Sequence, residues 1–261
     1  MRIGDAAPQG IPQQRVIQKM NEYMGRRDYA GAERHLLYWL EEAKVTGDMR
    51  GELMLRGEMI GHYRKTGEKE KAFRSIEEAL RLLKELDFGD TISAGTTYVN
   101  AATAYNAFGE NAASLELFRK AREVYERSEY TDPSLLGGLY NNMALACVSL
   151  GKYREADDLF AQALKQMENV PGGDLEQAIT YLNMAEAAEK EEGAVQAEKK
   201  ICSYADRALN LLTQTKAPQD GYYAFVCEKC APAFSYYGYF ADAQELMERA
   251  ERIYAQNADR D

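Results

Sequence analysis

Glycines recur along this 261-residue chain with a fixed period: Gly67, Gly109, Gly151 and Gly193 are each 42 residues apart, and Gly238 follows after 45. Self-similarity at this spacing constrains the fold more than any composition figure does, because it marks a repeat architecture. Each glycine falls between two stretches of helical periodicity. There the chain must leave one helix in a left-handed conformation and turn back, which a residue without Cβ does easily. The pattern predicts about twelve helices in antiparallel pairs, with no strand.

The segments around the glycines match as well. Before them stand Thr97-Tyr98-Val99-Asn100-Ala101-Ala102, Leu139-Tyr140-Asn141-Asn142-Met143-Ala144 and Thr180-Tyr181-Leu182-Asn183-Met184-Ala185. Tyr140, Met143, Ala144 and Cys147 then fall on one stripe of an amphipathic helix. After Gly151 come Ala156, Phe160 and Ala163; the counterparts are Ala72, Ile76, Ala79, then Ser114, Phe118, Ala121, and Ala243, Met247, Ala250. The distance from glycine to last alanine is 12 in each case. A small, large, small sequence lets two helices approach closely while one bulky side chain fills the gap.

These residues resemble the tetratricopeptide repeat family, helix–turn–helix units with a glycine before the second helix and an Ala…Phe/Tyr…Ala run within it. The resemblance implies an all-α fold, a right-handed α-solenoid of about six units, covering nearly the whole chain. The units fall near 13–52, 53–94, 95–136, 137–177, 178–223 and 224–257, with residues 1–12 as a flexible N-terminal arm. The family's common repeat is about 34 residues. The excess in this chain amounts to about one extra turn per helix, similar to the long variant of kinesin light chain and of several peptide-binding scaffolds and sensors. Two units depart from the pattern. Trp39 occupies the second small position of unit one. In unit five Gly193 to Ala208 is 15 residues and Ala205 stands in the bulky place, so helix B is expected to be extended or shifted in register.

Composition narrows the function. The net charge is −10, with 32 basic and 42 acidic residues, which argues against a nucleic-acid surface. Mean hydropathy is −0.53 and no long apolar run occurs, so neither a membrane span nor a signal peptide is expected and the expected location is the cytoplasm. Two histidines make a His-based metal or acid–base site an unfavourable reading. Cys227 and Cys230 form a CxxC pair but lack a second ligand pair, so they are read as small apolar residues on a buried helix stripe. No phosphate-cradling loop, Gly-x-Ser-x-Gly or HExxH motif occurs. The expectation is a non-enzymatic protein with no catalytic residues, no cofactor and no metal.

Candidate binding residues follow from the repeat. In the family, helix A lines the concave face, which places Asn100, Asn142 and Asn183 in a groove, one per unit. A primary amide both donates and accepts hydrogen bonds, so such a series suits the backbone of an extended peptide. The alternative is that these amides bond across neighbouring helices. The same offsets add Val99, Thr103, Asn106, Asn141, Leu145, Leu182, Glu186 and Lys190, with Glu58 and Lys229 at the flanking units. They lack the cationic set that would clamp a C-terminal carboxylate. The acidic balance suggests neutral or basic peptide segments, provided the groove shares it. The leading expectation is a scaffold for a protein or extended peptide. The alternatives are a sensor of a small signalling peptide acting through a partner chain, and a homo-oligomer, for instance a homodimer through the Tyr-rich C-terminal unit (Tyr222, Tyr223, Phe225, Phe234, Tyr236, Tyr237, Tyr239, Phe240).

Overall fold

The structure, a computed structural model, describes residues 10–258. The described residues form twelve α-helices and no strand: α1 (Gln13–Gly25), α2 (Tyr29–Thr46), α3 (Met49–Thr66), α4 (Lys69–Glu85), α5 (Ile92–Ala107), α6 (Asn111–Arg127), α7 (Pro133–Ser149), α8 (Tyr153–Met167), α9 (Gly173–Glu192), α10 (Ala194–Gln214), α11 (Gly221–Tyr236) and α12 (Phe240–Ala258). They pair in chain order as six hairpins. The five periodic glycines sit in the turns with φ between 70° and 90°, a region costly for residues bearing Cβ. The first hairpin has no such glycine, and Arg27 takes the turn with φ 55°. Each hairpin starts three to five residues before the unit boundary set by the sequence for the second to sixth units.

The chain divides into two compact units, residues 1–128 and residues 129–261. The first holds α1–α6. Leu36, Leu55, Ile60, Ile76 and Phe118 are fully buried in it. Residues 1–9 of the expected arm lie outside the described residues. Ile11 is buried, and its N–H donates to Asp48 Oδ2 at 2.9 Å, while Asp48 also caps α3 through Gly51 N–H. Trp39 is half-buried against Ala32, Leu36 and Leu40 in the α1–α3 core, its ring edge-on to His35 and Tyr38. Ser114, in the first small position of α6, donates its hydroxyl to Ala102 O at 2.8 Å, tying α6 to α5 inside the core.

Equivalent glycines in the third and fourth hairpins face different side chains of the second helix. Gly95 of α5 lies flat against the Tyr125 ring of α6; a Cβ there would stand 2.3 Å from Tyr125 Cε1. One repeat later, Gly137 of α7 faces Met167 of α8, with 2.4 Å to Met167 Cε. In the second hairpin the same two positions are Leu53 and Leu83, both buried.

The second unit holds α7–α12. Leu212, Tyr223, Cys227, Phe234 and Leu246 belong to one buried cluster, and the Tyr223 hydroxyl donates to Leu212 O at 3.2 Å and accepts from Arg249 Nη1 at 3.0 Å. Cys227 and Cys230 lie in this core as free thiols, and burial pushes the Cys230 thiol up to about 12. Such thiols are inert at neutral pH.

The fifth hairpin requires a correction. Its buried triplet is Ala197, Ile201, Ala205, at 4, 8 and 12 residues from Gly193. Ile201 is therefore the bulky member and Ala205 the closing small one, whereas the motif put Ala205 in the bulky place and Ala208 at the close. The reason is the turn. α10 begins directly after Gly193, whereas α4, α6, α8 and α12 begin two residues after theirs. One residue fewer in the turn moves the first two core positions forward by one. α10 is also the longest helix, at 21 residues, and continues the stripe to Ala208 and Leu212.

Candidate functional site

The clearest concavity suited to a ligand lies in the second unit, between α9 and α11. It is a cleft of about 710 Å³, with Ile179, Leu182, Cys230, Pro232 and Ala233 as apolar lining and Tyr236 and Tyr237 at one end. Its charged lining is Glu186, Glu189, Lys190 and Lys229. Two carboxylates and two ammonium groups balance, so the acidity of the whole chain is not concentrated in the cleft, contrary to the condition on which a preference for basic segments rested. Glu186 and Lys190 pair with each other at 2.6 Å on exposed side chains. Glu189 accepts from both tyrosine hydroxyls, Tyr236 at 2.7 Å and Tyr237 at 3.1 Å. Both phenol pKa values are raised, that of Tyr237 chiefly by burial and then by the bond to Glu189, that of Tyr236 chiefly by the bond to Glu189. Pro232 stands inside α11 and has no N–H to give to the helical ladder, which marks the cleft wall as an irregular stretch of helix.

The asparagines are placed as follows. Asn183 lines the cleft, and its Nδ2 donates to Asn141 Oδ1 at 2.9 Å. The bond joins α9 to α7 between residues 42 apart, one repeat period. Asn183 therefore lines this cleft and also bonds across to the neighbouring helix. Its partner is Asn141 rather than its motif equivalent, Asn142, which is half-buried on the same helix. In the first unit Asn100 is half-buried on α5, its Nδ2 4.0 Å from where a Cβ on Gly57 of α3 would be.

Among the remaining candidates, Val99 is half-buried and its carbonyl accepts from Thr103 Oγ1 at 2.8 Å. Asn106 Oδ1 is buried without a hydrogen-bond partner among the described residues. Leu145 is half-buried, Leu182 is a core residue that also reaches the cleft, and Glu186 is exposed. Glu58, at the flanking position of the first unit, is half-buried, and desolvation raises its carboxyl pKa. Tyr236, Tyr237 and Glu189 were not among the groove candidates read from the sequence. The aromatic richness of the last hairpin was the available signal, and it pointed to core or to a dimer surface.

A family model described as tetratricopeptide repeat matches residues 52–127 and 135–200, together more than half of the chain. The chain belongs to the tetratricopeptide repeat family. Solved structures agree on the fold. BtubC (BKLC) from P. vanneervenii superposes with a TM-score of 0.50 at 18% identity, covering 95% of this chain and 93% of that one. A putative kinesin light chain from Podosopora anserina with nearly identical TPR-like repeats gives 0.50 at 19% identity, covering 77% and 94%. A single-substitution variant of that protein gives 0.51 at 18% identity, covering 78% and 95%. No curated protein matches the chain in sequence. The tetratricopeptide fold is an α-solenoid, which is the class these twelve helices follow, and such repeats generally serve as non-enzymatic protein-interaction scaffolds. No helix of the described residues is long and apolar enough to cross a membrane.

Proposed function

We propose that the protein is a scaffold that takes an extended peptide segment of a partner protein into the α9–α11 cleft. The supporting observation is the make-up of that cleft. It combines an apolar floor, two tyrosines and an amide with balanced charges, the mix that gives a peptide both buried area and hydrogen-bonding groups. Asn183 supplies the polar contact. Its Oδ1 has acceptor capacity beyond the bond that its Nδ2 makes to Asn141. A neutral hydrogen bond of this kind contributes about 0.5–1.5 kcal/mol net. Burial of peptide side chains against Ile179, Leu182 and Ala233 would supply most of the affinity, and Asn100 and Asn142 would serve as further amide contacts in their own helices.

The test is selection of peptides from a random phage library on the full chain, followed by titration of the enriched sequences. Ala233→Arg, which fills the cleft from a half-buried helix position, is expected to abolish binding. Enriched peptides that bind Ala233→Arg as well as the unaltered chain would place the binding surface elsewhere. A second reading, self-association through the last hairpin, has its own support in Tyr236 and Phe240, which are 72% and 69% exposed. Sedimentation across a concentration series decides it, since a dimer surface there predicts a concentration-dependent mass.

A further inference from the structure

In the first unit, three side chains from two helices and a turn converge where no motif announces them. Glu33 lies on α2, His62 near the end of α3, and Glu68 at the residue before α4, after the Gly67 turn. One donor atom from each lies within 4.8 Å of the other two. The Lys71 ammonium sits between the carboxylates, 2.8 Å from Glu33 and 2.5 Å from Glu68. His62 is only 2% exposed, and its Nδ1 has no hydrogen-bond partner among the described residues. A buried imidazole nitrogen without a partner is costly in a folded protein, and a ring nitrogen of this same residue lies beside two carboxylates.

We propose that Glu33, His62 and Glu68 form a three-ligand site for a divalent transition metal ion, Zn²⁺ foremost, in which the metal displaces the Lys71 ammonium. An imidazole nitrogen with two carboxylate oxygens suits Zn²⁺ and its neighbours, whereas Mg²⁺ and Ca²⁺ take oxygen ligands. Zn²⁺ with ligands at about 2.1 Å in a tetrahedron needs donors about 3.4 Å apart. The cluster therefore has to contract by at most about 1.4 Å per pair, and side-chain rotation of two glutamates can supply it. Both carboxylates are already oriented from outside: the Tyr63 hydroxyl donates to Glu33 at 3.1 Å and the Thr66 hydroxyl to Glu68 at 3.1 Å. Supporting bonds of this kind tune metal affinity. The glutamate side chains are 27% and 35% exposed, which leaves a path for the ion and room for a water as fourth ligand. Lys71 marks the place electrostatically, as a built-in cation held by the same two carboxylates.

The chain has two histidines, so one spectrum tests the assignment. The ¹⁵N-labelled full chain, freed of metal with a chelator, is titrated with Zn²⁺ alone while the imidazole ring nitrogens are followed. The His62 ring signals are expected to move and saturate at one equivalent. The His35 ring, hydrogen-bonded to Val16 O at 3.1 Å, is expected to stay. By calorimetry, Glu33→Gln and Glu68→Gln should each weaken binding about tenfold or more, and Lys71→Met should tighten it about tenfold by removing the competing charge. Unmoved His62 signals at large Zn²⁺ excess overturn the proposal, and this arm needs no variant. Zinc taken up through the exposed Cys202 thiol alone gives the same negative result. Affinity of both glutamine variants equal to that of the unaltered chain, each variant shown to be folded by circular dichroism, overturns it as well.

Discussion

The glycines buried between paired helices offer a sharp test of the packing. Gly95 and Gly137 occupy the same position one repeat apart, yet alanine should affect them differently. At position 95 the new methyl would lie 2.3 and 2.7 Å from two ring carbons of Tyr125. The ring is buried, and its hydroxyl is tied to Thr96 Oγ1 at 2.9 Å, so it has little freedom to yield. Overpacking of this kind costs about 1–3 kcal/mol, with the rigid ring at the upper end. Against it, alanine gains about 1 kcal/mol over glycine in a helix interior. The net expectation is a loss of about 2 kcal/mol. At position 137 the obstacle is chiefly the terminal methyl of Met167, at 2.4 Å, the far end of a flexible thioether. Its rotation should cost about as much as the helix gains, for a net change within about 0.5 kcal/mol. Gly61, with nothing within 4 Å of its added Cβ, is the control and should be stabilised by alanine. Urea unfolding of the four proteins, followed by far-UV circular dichroism and tryptophan fluorescence, gives the midpoints. Gly95→Ala as stable as Gly61→Ala would refute the reasoning, and so would Gly137→Ala falling as far as Gly95→Ala.

Other outcomes follow from the same structure. Phe118→Ala removes a fully buried ring of α6 and should cost about 3–5 kcal/mol in the same unfolding assay. A double-mutant cycle on Asn141 and Asn183 should return a coupling of about 1 kcal/mol, and zero coupling would mean their 2.9 Å bond is not made in solution. With a chromogenic disulfide reagent, Cys202 should react quickly, while Cys147, Cys227 and Cys230 should react only on unfolding, because they are buried. Glu58→Gln should raise Tm at neutral pH. The folded-state pKa of Glu58 lies above the ordinary 4.5, so the folded chain holds this proton more tightly and stability falls as pH rises through that interval. The advantage of the glutamine should shrink as the pH is lowered to 4.5 and below, and an advantage unchanged by pH would show that the carboxyl is not desolvated.

The family, the helical pairing and most core triplets were legible because each rests on periodicity, which survives in a single sequence. The left-handed turns were legible for the five periodic glycines but not for the first hairpin, where Arg27 takes a conformation its side chain gives no hint of. The fifth hairpin misled because Ala205 and Ala208 are both small and both buried. Only the position where α10 starts decides which one closes the triplet. Adjacent residues on a helix point about 100° apart, and the motif alone does not decide whether Asn141 or Asn142 meets Asn183. The α9–α11 cleft was half visible. Its α9 side followed from repeat offsets, whereas Tyr236 and Tyr237 lie just past the internal Pro232 of α11. Glu33, His62 and Glu68 carry no local signature, since their meeting is made by the turn at Gly67 and the packing of α2 on α3.

The unequal fillings of one equivalent position also bear on how such a chain can be recombined. Glycine with tyrosine, glycine with methionine and leucine with leucine are three solutions to the same gap, each made within a single hairpin. A second helix moved from one hairpin to another would meet the wrong counterpart: Tyr125 against Leu53 would collide, and Leu83 against Gly95 would leave a void. Each of these three hairpins thus carries a steric key to its own partner helix. That key disfavours exchange of helices between otherwise interchangeable repeats during folding, and it makes the whole hairpin, rather than the single helix, the piece that can be duplicated or transplanted.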